Sequence, residues 1–174
     1  MADLNLDGLQ DFIISESYVD FPLHKLFKLP GRMLLQRKDQ TFASVEKKAG
    51  VINRNYEIAP LLGDFNGDGY LDQIRVNLAG RSKAFISKGG KHKYLKVKLP
   101  SNAKFLGSKV EVQMKNGTSL YDWHLSGEGL CSDQEHILVF GLGDSNVAQT
   151  VNVTLVDGQT LSKNVDRQTQ IEWK

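Results

Sequence analysis

A nine-residue pattern occurs twice in this chain. Asp3-Leu4-Asn5-Leu6-Asp7-Gly8-Leu9-Gln10-Asp11 returns as Asp64-Phe65-Asn66-Gly67-Asp68-Gly69-Tyr70-Leu71-Asp72, and both read D-x-N-x-D-G-x-x-D. Such repetition constrains the fold strongly, because each copy must be one unit that pairs or stacks with the next. Each copy runs at once into a β-prone stretch, Phe12-Ile13-Ile14 or Ile74-Arg75-Val76. Further strand-like segments follow, residues 33–36 and 41–45 after the first copy and 84–86 and 94–99 after the second. Residues 56–62 add a strand ahead of the second copy. Residues 1–50 therefore read as a β unit without its first strand, and residues 51–99 as a complete one.

The spacing of oxygen donors in the two loops points to calcium. Ca²⁺ takes six to eight oxygen ligands, and alternate side chains of a tight loop can face one centre. The first loop offers Asp3, Asn5, Asp7, the Leu9 carbonyl and Asp11. The second offers Asp64, Asn66, Asp68, the Tyr70 carbonyl and Asp72. The glycine after the third donor permits the sharp turn. An EF-hand is excluded, since it needs a Glu at position twelve and helices on both sides. Position twelve here is Ile14 or Arg75, and the flanks are strand-like. Magnesium keeps several waters and needs fewer protein donors. The competing reading is a pair of solvated Asn/Asp/Gly turns; it is already the lesser one for a single loop, and two copies that keep every donor weaken it further.

Residues 100–102, Pro-Ser-Asn, mark a boundary. Beyond it Val110, Val112 and Met114 alternate with polar residues, and Asn116-Gly117 supplies a positive-φ pair for a hairpin. Tyr121, Trp123 and Leu125 alternate on the return strand, and Val151, Val153 and Leu155 lead to a second turn at Asp157-Gly158. Leu161, Ile171 and Trp173 continue the pattern. The fold class expected is all-β: about two four-stranded blade-like units with the first incomplete (1–99), then a small antiparallel β-sandwich (100–174).

Composition removes other classes. The formal net charge of +2 is too small to imply a nucleic-acid partner by itself. A single cysteine, Cys131, leaves no intrachain disulfide. No apolar run approaches the ~18 residues of a membrane span. The first residues carry no signal-peptide pattern.

The two loop units resemble FG-GAP/VCBS repeats, the blade units of integrin-type β-propellers. Residues 32–37, 41–45 and 49–51 are similar to that family's "N-x-L-y-x-N … G-t-F-x-d-V-t-x-x-A-G-V", and residues 89–99 to its "G-G-N-x-w-L-x-V-x-L". Residues 126–134 and Phe140-Gly141-Leu142-Gly143 are similar to "G-x-G-y-x-S-Q" and "F-G-L-G" of the ASPIC/UnbV domain, which follows such repeats in cartilage-acidic-protein-like proteins. Leu155-Val156-Asp157-Gly158 departs from the usual W-P-D-G. The resemblance implies calcium bound between the first two strands of a blade. It also implies a non-enzymatic adhesion or binding role, facing the cell exterior or envelope, with a protein or glycan partner. Propellers close with about 4–8 blades, so the resemblance implies either a fragment of a longer protein or a free-standing product whose exposed blade edges are covered by the C-terminal domain, by another chain or by self-association.

Weaker signals have simpler readings. The basic run 88–98 fits an amphipathic strand with Leu95, Val97 and Leu99 inward better than a nucleic-acid patch. His24, His92, His124 and His136 show no zinc spacing and read as surface or sheet residues. Cys131 has no base beside it, so a catalytic thiol is not expected. Ser126-Gly127-Glu128-Gly129 and Phe140-Gly141-Leu142-Gly143 read as tight turns between strands. Tyr121, Trp123 and Trp173 read as core residues before a sugar-stacking surface.

The function expected is a non-enzymatic calcium-binding adhesion or interaction module in which the ion is structural. The alternatives are a carbohydrate-binding or carbohydrate-active protein that uses the aromatic and Asp residues, and a basic nucleic-acid binder. The loop at 64–72, with a strand on each side, is expected to be better supported than the loop at 3–11 near a fraying chain end.

Overall fold

The computed structural model describes residues 1–15, 31–55, 57–77, 80–127, 133–144 and 147–174. His24, Glu128, Gly129 and Cys131 lie outside the described residues. Among the described residues the structure is all-β apart from one short helix, and it divides into two compact units. Unit 1 holds residues 1–4, 9–89 and 127–134; unit 2 holds residues 5–8, 90–126 and 135–174.

Unit 1 contains two three-stranded antiparallel sheets. The first is β1 (Phe12–Ile14), β2 (Arg32–Gln36) and β3 (Phe42–Ser44), followed by the short helix α1 (Glu46–Ala49). The second is β4 (Glu57–Gly63), β5 (Asp72–Asn77) and β6 (Lys83–Phe85). β1 corresponds to β5 and β2 to β6, each pair placed after its acidic loop. The interior of this unit is notably polar. Arg75 is 1 % exposed and its Nη1 lies 2.7 Å from Glu57 Oε1. Its Nε and Nη2 donate to Gln73 Oε1, and Asn53 Nδ2 donates to Glu57 Oε2 and Asn77 Oδ1.

Unit 2 is the sandwich. One sheet runs β12 (Thr160–Asn164), β11 (Ala148–Thr154), β8 (Lys109–Met114), β9 (Ser119–Trp123). The other runs β10 (Ile137–Gly143), β7 (Lys93–Lys98), β13 (Gln170–Glu172). One apolar core draws on both sheets. Val110, Val112, Val151 and Val153 come from the first, and Leu95, Val97, Phe140, Leu142 and Ile171 from the second. Each such side chain contributes roughly 1.5–3 kcal/mol through burial.

Sequence patterning locates nearly all these strands, but four expectations change. Residues 94–99 do form a strand with Leu95, Val97 and Leu99 buried, as the amphipathic pattern requires. That strand, β7, is antiparallel to β10 and parallel to β13 instead of pairing with β6. The second loop unit is therefore three-stranded, because β7 fills the centre of the sandwich sheet. Phe140-Gly141-Leu142-Gly143 is not a turn: it is the end of β10, where Phe140 and Leu142 enter the core and the register shifts between Gly141 and Gly143. Asn116-Gly117 closes the β8–β9 hairpin with Gly117 alone at positive φ, 86°. Trp173 is buried as expected, whereas Tyr121 and Trp123 are 44 % and 48 % exposed, because their register puts them on the outer face of the sheet.

The same tight turn closes three hairpins. Arg37, Met114 and Leu155 each donate across the turn to the carbonyl of Thr41, Thr118 or Gln159. In each an Asx side chain (Asp39, Asn116, Asp157) accepts the backbone N–H two residues on. The left-handed position is Gly117 or Gly158 in two of them and Gln40, at φ 65°, in the third.

Candidate functional site

The loop at 64–72 lies wholly in unit 1 and joins β4 to β5, whose pairing ends at Gly63 and Asp72. Its side chains fold back on their own backbone. Asp64 Oδ1 accepts from the N–H of Gly67 and Asp68 at 2.7 and 3.0 Å, and Oδ2 accepts from Gly69 at 2.7 Å. Asn66 Oδ1 accepts the Asp68 N–H, and Asn66 Nδ2 donates to Asp68 Oδ2 at 2.9 Å. Asp68 Oδ1 accepts the Tyr70 N–H at 2.8 Å. Asp72 is fully buried; Oδ2 accepts from Phe65 N–H at 2.8 Å and Oδ1 from Ser87 N–H at 2.7 Å. Asn66 is exposed, Asp64 and Asp68 are half-buried, and Tyr70 is buried.

The loop at 3–11 repeats this construction. Asp11 is fully buried, with Oδ2 accepting from Leu4 N–H at 2.9 Å and Oδ1 from Gln36 N–H at 2.8 Å. Leu4 and Phe65 hold the same loop position, and Gln36 and Ser87 each stand two residues beyond the equivalent partners Leu34 and Phe85 of the second strand. Asn5 Nδ2 donates to Asp7 Oδ2 at 3.0 Å, and Asn5 Oδ1 accepts the Asp7 N–H. The backbone matches too. Gly67 and Gly69 have φ of 78° and 90°; Leu6 and Gly8, at the same positions, have 60° and 89°. A bridge between Ala2 and Asp11 takes the place of the Gly63–Asp72 pair. The compact units divide inside this loop, with residues 5–8 in unit 2, where Leu6 C=O accepts the Gly143 N–H at 3.1 Å.

The first loop is the more enclosed. Asp3 is 3 % exposed and Leu4 7 %, against 54 % for Phe65, which holds the position of Leu4 in the second. The Ala2–Asp11 bridge and the burial of Leu6 supply the support that a preceding strand gives the second.

The donor chemistry fits a hard cation. The donors named from sequence in both loops are oxygens, with no sulfur or imidazole among them. Each carboxylate has about four lone-pair sites, so an oxygen that accepts one N–H retains a lone pair for an ion. Among the described residues no three carboxylate, imidazole or thiol groups already cluster as a metal shell. The backbone N–H groups take up the loop carboxylates instead. Gly89 was not a site residue in the sequence reading, yet a Cβ there would stand 3.3 Å from Asp68 Oδ2. Its bare Cα leaves that carboxylate room. The anchoring amides of Gln36 and Ser87 were also missed, because a backbone donor leaves no residue-type signal.

The histidine reading changes as well. His124 is buried; its Nδ1 lies 3.0 Å from Phe105 O and its Nε2 2.9 Å from His136 Nδ1. The two rings meet edge to face at a centroid distance of 5.0 Å. They form a packed pair within the sandwich and not two separate surface residues. His92, partly exposed, has Nδ1 2.8 Å from Asn5 O and Nε2 3.4 Å from Asp144 Oδ1.

Fold and loops together define a two-part all-β protein: blade-like sheets opened by repeated acidic loops, then a sandwich. The family model for FG-GAP-like repeats matches residues 3–74, and the model for ASPIC and UnbV matches residues 98–172. The chain is thus an FG-GAP-like repeat segment followed by an ASPIC and UnbV segment. No curated protein matches it. The two segments together suggest a protein-interaction module of the extracellular type. Among the described residues no helix is long and apolar enough to cross a membrane.

Proposed function

We propose that the chain is a non-enzymatic, calcium-stabilised interaction or adhesion module that works outside the cell or at its envelope. The observation that carries the reading is the agreement between the two loops. They share the D-x-N-x-D-G-x-x-D donors, two left-handed residues at the same positions and a ninth-position aspartate held by two equivalent amides. A mere surface turn has no need to keep Leu6 at φ 60°. Asp3, Asn5, Asp7, the Leu9 carbonyl and Asp11 would hold one ion, and Asp64, Asn66, Asp68, the Tyr70 carbonyl and Asp72 the other. The ion would neutralise three carboxylates per loop and fix the entry to β1 or β5.

A ligand that binds only the folded form stabilises it by about 2.7 kcal/mol at a hundredfold excess over its Kd. Thermal melting with calcium and with chelator tests this. The expected result is a higher melting temperature in calcium, abolished by Asp64→Asn with Asp3→Asn and not reproduced by equal magnesium. A melting temperature indifferent to chelator, with no heat of calcium binding, overturns it.

A further inference from the structure

The outer face of the four-stranded sandwich sheet carries an ordered polar array that the loop chemistry does not use. Tyr121, Glu111, Asn152 and Ser162 stand side by side on β9, β8, β11 and β12. Their side chains form one chain of hydrogen bonds. Tyr121 Oη donates to Glu111 Oε1 at 3.1 Å, Asn152 Nδ2 donates to Glu111 Oε2 at 3.0 Å, and Ser162 Oγ donates to Asn152 Oδ1 at 2.8 Å. Trp123 lies two residues beyond Tyr121, about 7 Å along the strand, and is 48 % exposed. Lys109 pairs with Trp123 in register and places its Nζ 4.1 Å from the centroid of the Tyr121 ring.

The chemistry of this face selects its occupant. Lys109 and Glu111 are the charged residues among the outward positions of the four strands, and their charges cancel. A polyanion finds no complementary field here. A protein interface centres on a desolvated apolar patch, but the rings are flanked by Lys109 and Glu111, and beyond these the outward positions of β11 and β12 carry Thr, Asn and Ser side chains. An uncharged ligand with flat C–H faces for the rings and many hydroxyls for the polar row matches both. Hydrogen bonds from Asn152 first, then Ser119 and Tyr121, hold the Glu111 carboxyl below the usual carboxylate range, so it remains an acceptor for hydroxyl groups. The row is also fixed before any ligand arrives, which lowers the ordering cost of binding.

We propose that this face of the sandwich binds a neutral polysaccharide, with the Trp123 indole as the stacking platform and Glu111 and Asn152 holding sugar hydroxyls. The inference stands on sandwich residues alone, so its failure leaves the calcium melting test untouched. Affinity electrophoresis of the full chain in calcium, through native gels containing hydroxyethylcellulose, laminarin, galactomannan or dextran, with polygalacturonate as the charged control, tests it. The expected result is retardation in at least one gel that persists at high salt. Trp123→Ala and Glu111→Gln should each weaken it by roughly tenfold or more, a loss of about 1.4 kcal/mol, while the Trp123→Ala melting curve stays that of the wild type. Four results overturn the proposal: no retardation in any neutral gel; retardation equal in Trp123→Ala; retardation only in polygalacturonate and lost with salt; or Trp123-dependent self-association in sedimentation without polysaccharide retention, which assigns the face to a second copy.

Discussion

Leu6 holds a backbone conformation that its counterpart Gly67 adopts freely. The left-handed region costs a residue with a Cβ roughly 1–2 kcal/mol, and Leu6 keeps it because its side chain is fully buried. The loop sequence showed Leu6 and Gly67 at the same position but could not show that they share a conformation, because leucine rarely adopts it. Glu46 is a second residue with more than one task. It accepts from Ser44 Oγ with both oxygens, pairs with Arg32 Nη1 at 3.0 Å and receives the Met33 N–H. These bonds, the Ser44 hydroxyl first, bring its pKa from an ordinary 4.5 down to about 2. The folded state therefore favours the ionised form. Its contribution is complete above about pH 4.5 and lost as pH falls toward about 2. Urea midpoints measured across that window should fall in the wild type and fall less steeply in Glu46→Gln; parallel curves would refute the assignment.

At the scale of elements, the repeated turn shows how local chemistry specifies a hairpin. The Asx side chain fixes the turn from within, and the residue after it takes positive φ. Gln40 occupies that place between β2 and β3 at φ 65°. Gln40→Gly removes its strain at the cost of a more flexible unfolded chain, for a net gain of up to about 1 kcal/mol. A higher urea midpoint with an unchanged slope is the expected outcome, and a lower midpoint would contradict it. Asn-Gly and Asp-Gly made two of these turns legible in the sequence, while Asp39-Gln40 gave no such sign. The strands themselves were legible from alternation, as with Val110, Val112 and Met114. Which strand pairs with which was not. Burial of Leu95 and Val97 is equally well served by any apolar partner, so the parallel with residues 41–45 after the first loop assigned β7 to the second loop unit, whereas it pairs within the sandwich. Tyr121 and Trp123 were misread for a related reason: aromatic residues suit either face of a sheet, and only the register with Glu111 and Lys109 places them outward.

At the scale of the molecule, the two units rest on different physics. The sandwich has a continuous apolar core, whereas the loop-bearing unit buries Arg75, Glu57, Gln73 and Asn53 together. Removing one member of a buried ion pair leaves the other uncompensated, at about 3–5 kcal/mol. Arg75→Met should therefore strip hydrogen-exchange protection from β4 and β5 while β8 and β11 keep theirs; equal loss in both units would show that they unfold as one. The place of β7 in the sandwich has a further consequence, for the order of manufacture. Its neighbours on both sides, β10 and β13, are synthesised after it. While the chain is growing, β7 is an apolar strand with two open edges, the kind of segment that recruits other nascent chains. Lys93, Lys96 and Lys98 punctuate that strand. The basic run, read from the sequence as an amphipathic strand, thus carries charges of the kind that guard such a segment against other chains until its own partners emerge.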